Sequence, residues 1–262
     1  MHSSIFYIKA VLHIFPYVCF CLLGLVFGSF FNVVGIRVPQ QNFLEQSRSI
    51  CPHCRHVLRW YELIPVVSYL LQFAKCRHCQ QLISPIYPLI ELSTAFLFML
   101  SYHFFGLSTA CLLSLFFVSL LMIVIITDIR YLLIPDRLLL CFTPLLLFMR
   151  LLETPTPWYD IIWGSLLGFV LLLLIILLSR GGMGAGDMKL MAVIGIVIGW
   201  KGVLLTLSIA SLLGLVLGYG LIALRLIHHK RPIPFAPFLA IAGLVAWFSG
   251  EPIIAYYLSF YP

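Results

Sequence analysis

Residues 159–200 read YDIIWGSLLGFVLLLLIILLSRGGMGAGDMKLMAVIGIVIGW, two long apolar runs separated by a glycine-rich stretch at residues 181–189. Apolar runs of about 20 residues are long enough to cross a bilayer as helices. Asp187, near the end of the glycine-rich stretch, needs an explanation, because an ionised carboxylate at bilayer depth costs roughly 2.5–3.5 kcal/mol. Either it caps a helix at a membrane-edge turn or it has a chemical role.

The composition of the whole chain is that of a polytopic membrane protein. Of its 262 residues, 62% are hydrophobic and only 10% are charged, and the mean hydropathy is +1.09; soluble domains carry roughly 25% charged residues. The apolar runs do not alternate as the strands of a membrane barrel would, so the predicted fold class is all-α. The first run lacks a clear small-residue cleavage site and is interpreted as a retained span.

Eight apolar runs are present, which predicts a membrane bundle of about eight transmembrane helices. The sixth run is short for a full span at about 1.5 Å per residue, and the last is interrupted by Gly250-Glu251-Pro252. The runs comprise residues 11–36, 86–105, 109–127, 131–150, 159–179, 187–200, 202–225 and 234–260.

The distribution of lysine and arginine between the runs predicts the orientation of the chain. Thirteen of these cations lie in segments on one side of the membrane, and only Lys9, Arg150 and Lys201 lie on the other. The cation-rich side is expected to be cytoplasmic, which places both termini outside the cytoplasm. The net charge of +7 then requires no nucleic acid, because the anionic lipid of the cytoplasmic leaflet is a sufficient partner.

Residues 37–85 form the one sizeable polar segment, and it contains two C-x-x-C pairs. Cys51 and Cys54 are separated by 21 residues from Cys76 and Cys79, a spacing that suits a zinc-ribbon-like site with four thiolate ligands. Such a site is structural, because it leaves no open position for catalysis. A disulfide is disfavoured on the cytoplasmic side, and a redox C-x-x-C protein would carry a single pair in a thioredoxin-like context.

Several other polar residues on the predicted cytoplasmic side have two interpretations each. His53 or His78 can replace a cysteine as a metal ligand, or both are solvated. Asn32 either packs against another helix or lines a site at the membrane surface. Glu91, several residues into a span, is either paired with a loop arginine or functional.

Two further aspartates, Asp128 and Asp136, follow the third apolar run and lie on the same predicted side as Asp187. Asp136 follows a proline and can cap the next helix, with Arg130 or Arg137 to neutralise it. Asp128 emerges directly from the apolar run. We therefore expect Asp128 at the same membrane depth as Asp187.

A pair of aspartates at one depth suggests a definite chemistry. Two carboxylates that share a site hold one proton between them, so one acts as general base on water while the other donates a proton. Such a pair cleaves a peptide bond without a metal or a covalent nucleophile. No Ser-His or Cys-His arrangement, no H-E-x-x-H motif and no strand before the glycines supports a competing site. Asp128 and Asp187 are therefore the candidate catalytic residues.

An ordered set of motifs resembles the type IV prepilin peptidases, and it covers nearly the whole chain. The resemblance implies a GxGD-type membrane aspartic protease in which Asp128 and Asp187 occupy the catalytic positions. Ala236 stands where many members of that family have glycine. In chain order the motifs are GSFFNVVGIRVP (28–39), the two C-x-x-C pairs, WYELIPVVSYL (60–70), SPIYPLIE (84–91), DIRYLLIPD (128–136), GGMGAGDMKL (181–190) and IPFAPFLA (233–240).

The same resemblance implies a substrate, a cofactor and a division of the chain. The family cuts the basic leader from prepilins, pseudopilins or competence pilins at the cytoplasmic face of the bacterial inner membrane. Many members then methylate the new N-terminus with S-adenosylmethionine. Residues 1–105 are accordingly expected to form a methyltransferase-associated region with the zinc loop, and residues 106–262 the peptidase domain.

Two other classes of protein compete with this interpretation. A transporter or proton-relay protein also carries intramembrane aspartates. Its carboxylates are expected near the bilayer midplane, however, and such proteins commonly have repeats with broken helices. A non-enzymatic scaffold built on the zinc loop would tolerate loss of both aspartates but not of the cysteines. We expect Asp128 and Asp187 at the cytoplasmic ends of their spans, which favours the peptidase.

Overall fold

The computed structural model describes residues 2–40, 48–153, 157–179, 183–223 and 234–260. The described residues form helices, with only two isolated β-bridges, which confirms the all-α prediction. The segments that are not described include Gly181 and Gly182 of the glycine-rich stretch. They also include four predicted cytoplasmic cations, Arg180, Arg225, Lys230 and Arg231.

The described residues contain eight α-helices and one 3-10 helix, Trp60–Leu63. Six of the α-helices are long and apolar enough to cross a membrane: α1, α3, α4, α6, α7 and α8 as numbered here. The α-helices are α1 (His2–Arg37), α2 (Val67–Leu71), α3 (Ile86–Phe105), α4 (Thr109–Tyr131), α5 (Asp136–Leu152), α6 (Trp158–Leu178), α7 (Ala185–Ala223) and α8 (Ala236–Leu258).

Each of the eight predicted apolar runs corresponds to a helix or to half of one. Helix α5, with 17 residues, covers most of the fourth run, and the 39-residue element α7 covers the sixth run and nearly all of the seventh. Helix α7 is broken at Gly199, whose φ of 69° is not helical. The predicted runs 187–200 and 202–225 are therefore the two halves of a broken helix.

The break in α7 lies against Asp160, in the first turn of α6. A Cβ atom at residue 199 would collide with the Asp160 carboxylate, and the left-handed φ of Gly199 is one that other residues rarely adopt. Glycine at this position is therefore required for both the space and the backbone conformation.

Residues 1–123 form one compact unit and residues 124–262 a second, so the division falls within α4. In the first unit, α1 packs closely against α3. A Cβ atom at Gly24 would collide with the backbone of Ala95, and one at Gly28 would lie 2.7 Å from the Cα of Glu91. Small residues thus let the two helix backbones touch, as is common between membrane helices.

In the second unit, glycines bring α6 and α7 together in the same way. Gly164 and Gly195 face each other, because a Cβ atom on either would collide with the carbonyl oxygen of the other. One turn further along α6, a Cβ atom at Gly168 would lie 2.7 Å from the carbonyl oxygen of Met191. These close contacts position α7, which carries Asp187 in its first turn, against α6.

Candidate active site and metal centre

Asp128 lies near the C-terminal end of α4, and only 6% of its surface is exposed. Its Oδ2 atom accepts a hydrogen bond of 3.1 Å from the backbone N–H of Ala236, the first residue of α8. The first N–H groups of a helix have no partner within the helix and are free to donate elsewhere. The motif around residue 236 therefore contributes a backbone hydrogen-bond donor to Asp128, and the identity of its side chains gives no sign of this role.

Asp187 lies in the first turn of α7 and is 7% exposed. Its backbone N–H donates to the carbonyl oxygen of Gly184 over 3.1 Å. A Cβ atom at Gly186 would lie 3.1 Å from the Cβ of Ile134. The absence of a side chain at Gly186 thus lets the start of α7, which carries Asp187, lie close to Ile134 in the segment that follows Asp128.

The two aspartates line one cavity of about 370 Å³. Their carboxylates interact electrostatically within it, so the structure brings together the two residues that the sequence nominates. The cavity lies between the end of α4 and the start of α7, and its other walls are Leu132, Leu133, Ile134, Pro135, Asp136, Gly184, Ala185, Gly186 and Lys189.

The chain leaves α4 by an unusual turn beside this cavity. Leu132 has a φ of 52°, and its N–H donates to the carbonyl oxygen of Asp128 over 2.9 Å. A bulky residue in the left-handed region is uncommon and occurs mostly where the surroundings impose it. The turn directs residues 132–135 along the wall of the cavity.

Asp136, the third predicted aspartate, forms an ion pair with Lys189. The Lys189 Nζ atom lies 2.7 Å from Oδ1 and 2.8 Å from Oδ2 of Asp136. One expectation is corrected here: the cap position of α5 is Pro135, without a side-chain cap bond, and Asp136 is the first residue of the helix. Because 53 residues separate Asp136 from Lys189, local sequence gives no sign of this pair.

The four cysteines of the loop form one cluster in the first unit. Their sulfur atoms all lie within 4.8 Å of one another, and no described histidine belongs to the group. The alternative in which His53 or His78 replaces a cysteine is therefore wrong for this geometry. His78 instead stacks on His56, with 4.7 Å between the ring centroids.

The two C-x-x-C pairs sit in turns that repeat each other with an offset of 25 residues. In the first turn the N–H of Cys51 donates to His56 and that of Arg55 donates to Cys51. The second turn makes the same bonds, from Cys76 to Gln81 and from Gln80 to Cys76. The equivalent residues Arg55 and Gln80 both have positive φ, 56° and 58°, and each pair is closed by one β-bridge.

The cluster fits a tetrahedral metal ion. With metal–sulfur bonds of about 2.3 Å, the sulfurs of a tetrahedral site lie roughly 3.8 Å apart. The Sγ atoms of Cys51 and Cys79 are 3.9 Å apart, and all eight cysteines of the chain are free thiols. The distances and the donor set are therefore those of a four-thiolate metal site and not of a disulfide.

The charges of the thiol cluster also favour a cation. Burial opposes ionisation of Cys51, but backbone hydrogen bonds from Cys54 and His53 outweigh it and lower the pKa of that thiol to about 7. For Cys79 the backbone hydrogen bond from Gln81 favours the thiolate, but burial and the neighbouring sulfurs outweigh it and raise the pKa to about 11. Ionisation of one thiol therefore opposes ionisation of its neighbours, and a bound dication would overcome this repulsion by stabilising every thiolate at once.

Glu91 and Asn32 form a second polar group inside the first unit. Glu91 is 7% exposed; it accepts a hydrogen bond of 2.8 Å from the N–H of Val66 and another from the Ser29 hydroxyl. The expected pairing with a loop arginine is not found in the described part of the loop. The Asn32 amide donates to the carbonyl oxygens of Gly28 and Tyr87, which supports the packing interpretation of Asn32.

Comparison with known proteins agrees with the geometry. Residues 22–105 match the bacterial peptidase A24 N-terminal domain, and residues 115–219 match the type IV leader peptidase family. No solved structure matches the chain.

Relatives similar to nearly the whole chain share one name, prepilin leader peptidase/N-methyltransferase. The Bacillus subtilis protein is 39% identical over 237 residues, which cover 90% of this chain and 96% of the relative. The Aeromonas salmonicida protein is 35% identical, covering 94% and 96%, and the Pseudomonas aeruginosa protein is 36% identical, covering 92% and 93%. With the two aspartates in one cavity, this similarity shows that the chain belongs to the type IV leader peptidase family.

Proposed function

We propose that the chain is a membrane aspartic endopeptidase that removes the basic leader of type IV prepilins, pseudopilins or competence pilins. The observation that carries the proposal is the pair of buried carboxylates, Asp128 and Asp187, which line one cavity from the ends of two different helices. Lysine and arginine are concentrated on the same predicted side of the spans, which supports an active site at the cytoplasmic face of the bacterial inner membrane.

The two aspartates divide the work between a base and an acid. Each carboxylate accepts a backbone N–H, Asp128 from Ala236 and Asp187 from Gly184, and two carboxylates in one site hold one proton between them; we assign the negative charge to Asp128 and the shared proton to Asp187. Asp128 removes a proton from water as the water oxygen bonds to the scissile carbonyl carbon. Asp187 gives its proton to the carbonyl oxygen, which forms a tetrahedral diol. As the C–N bond breaks, Asp128 gives the proton it took from water to the departing amine, and Asp187 takes a proton back from a diol hydroxyl, so that the new carboxyl group forms and the pair returns to its starting state.

The second proposed reaction is methylation of the new N-terminal amine. The relatives are named for both activities, and the separately matched N-terminal domain supports an assignment of methyl transfer to residues 1–105 and of cleavage to residues 106–262. S-adenosylmethionine is the proposed methyl donor. No described residue identifies its binding site.

The cysteine cluster is proposed to hold a structural zinc ion. Cys51, Cys54, Cys76 and Cys79 supply a complete set of four thiolates, and zinc is the usual occupant of tetrahedral four-sulfur sites. Because two ligands come from each repeated turn, the ion would tie the two turns together and order the loop between α1 and α3.

The test incubates the purified protein with a prepilin, with and without S-adenosylmethionine, and determines the N-terminus of the product by mass spectrometry. Asp128→Asn and Asp187→Asn should each lower the cleavage rate by roughly a hundredfold to ten-thousandfold, since each removes a group that transfers a proton in the reaction. The matched control is Glu251→Gln, a change of an exposed carboxylate in α8. Cleavage that survives in Asp187→Asn would disprove the peptidase proposal and leave the relay or scaffold alternatives.

A further inference from the structure

Three carboxylates line the cavity, and the catalytic proposal uses only two of them. The third, Asp136, is held at both oxygens by Lys189, at 2.7 and 2.8 Å. The pair joins the first residue of α5 to the first turns of α7, and Lys189 follows Asp187 by two residues. An ion pair of the protein itself therefore lies within the proposed substrate cavity.

The pair is far more open to solvent than the two aspartates are. The side chain of Asp136 is 61% exposed and that of Lys189 is 45% exposed, whereas Asp128 and Asp187 are 6% and 7% exposed. Exposed ion pairs contribute little to stability, because water and salt screen them and ordering two side chains opposes them. Another cation can therefore replace Lys189 at Asp136 with little loss.

The bidentate geometry indicates which group would replace Lys189. Both oxygens of Asp136 point at a single ammonium group, so an ammonium or guanidinium group of a substrate would find the carboxylate already in place. Such groups are the strongest partners of a carboxylate, and guanidinium binds both of its oxygens at once. Because Asp136 lines the same cavity as the two aspartates, a cationic side chain of a peptide held in that cavity can reach it.

We propose that Asp136 is the subsite for a lysine or arginine side chain of the substrate leader, and that Lys189 occupies it when no substrate is bound. This inference rests on the proposed peptidase function and adds a determinant of its specificity. It also explains how a protein with a strongly basic cytoplasmic side accepts a basic leader: the one exposed carboxylate of the cavity receives the leader cation, and Lys189 turns to solvent.

The inference predicts opposite effects for the two partners. Asp136→Asn removes the subsite and should lower kcat/KM about threefold to tenfold for a prepilin with a cationic leader. Lys189→Met removes the internal competitor and should raise kcat/KM about twofold to fivefold, the range that screened exposed pairs support. A merely structural ion pair predicts instead that both variants decline together.

The experiment measures cleavage of two prepilins that differ only in their leaders, one with its native lysines and arginines and one with glutamines in their place. On the glutamine leader, the difference in kcat/KM between the two variants should disappear, whatever effect each has on the basal rate. Lys201→Met is the matched control, because Lys201 lies on α7 over the Trp200 ring and not in the cavity; it should change neither rate.

Each outcome decides the inference separately from the proposed function. If the wild type does not cut either prepilin, the peptidase function itself is wrong. If the wild type cuts but Lys189→Met cuts the cationic leader no faster, or gains equally on the glutamine leader, the subsite is disproved. Should Asp136→Asn not fold, the Lys189→Met comparison on the two leaders still gives the answer.

Discussion

Gly186 should control catalysis through the distance between the two aspartates, although it has no side chain. A Cβ atom there would lie 3.1 Å from the Cβ of Ile134 and 3.4 Å from its Cγ1 and Cδ1. Carbon atoms in contact normally lie about 3.5–4.0 Å apart, so Gly186→Ala must separate the two segments by roughly 0.5 Å. Ile134 is only 6% exposed, so its segment cannot move outward without shifting its neighbours.

The expected consequence is a loss of rate without a loss of fold. A misplacement of about 1 Å can cost roughly a hundredfold in rate, so about 0.5 Å should lower kcat for prepilin cleavage about tenfold. Alanine is the better helix former by about 0.5–1 kcal/mol, which offsets part of the cost of the close contact. The thermal midpoint of Gly186→Ala should therefore stay near that of the wild type while cleavage slows.

Two further variants test this reasoning. Gly220→Ala makes the same change on the same helix, where no atom lies within 4 Å of the new Cβ, and its cleavage rate should be unchanged. Adding Ile134→Ala to Gly186→Ala removes the two 3.4 Å contacts and leaves only the one at 3.1 Å, so part of the rate should return. Wild-type cleavage by Gly186→Ala, or an equal loss in Gly220→Ala, would show that this contact does not set the spacing.

Three other expectations concern stability and metal content. Gly195→Ala places a methyl group against the Gly164 carbonyl; it should cost about 1–3 kcal/mol by overpacking and lower the thermal midpoint, and an unchanged midpoint would mean that the helices separate freely. Cys76→Ser should lower bound zinc, measured by elemental analysis, from about one ion per chain to well below one; full occupancy would contradict the four-thiolate site. Glu91→Ala leaves the Val66 N–H without its acceptor, at a cost of about 1–3 kcal/mol, so limited proteolysis near residue 66 should quicken; unchanged proteolysis would show that the bond does not hold the loop.

Much of the fold was predictable, because its main determinants are local. The apolar runs mark all the long helices, and the spacing of the two C-x-x-C pairs indicates the cluster that the sulfur positions form. The sequence identifies Asp128 because it directly follows an apolar run. It identifies Asp187 because that residue lies near the end of the glycine-rich stretch that joins two apolar runs. These features need no knowledge of which helices touch.

The remainder depends on contacts between residues far apart in the chain. The ion pair of Asp136 spans 53 residues, and the acceptor of the Val66 N–H is Glu91, 25 residues away. The predicted runs 187–200 and 202–225 already mark the position of the break at Gly199 to within two residues, but their composition does not show that they belong to one element, α7. Neither hydropathy nor motif spacing identifies these contacts, since the sequence pattern is the same whether or not a lysine and a distant aspartate meet in the fold.

The hydrogen bond from Ala236 to Asp128 has a consequence for mutational surveys of the protein. Its donor is a peptide N–H, so glycine, serine or any residue other than proline at position 236 leaves it in place. The residue is already alanine, and an alanine scan passes over it. A partner of the catalytic pair is therefore encoded in the path of the main chain, where neither pH nor ordinary substitution can remove it.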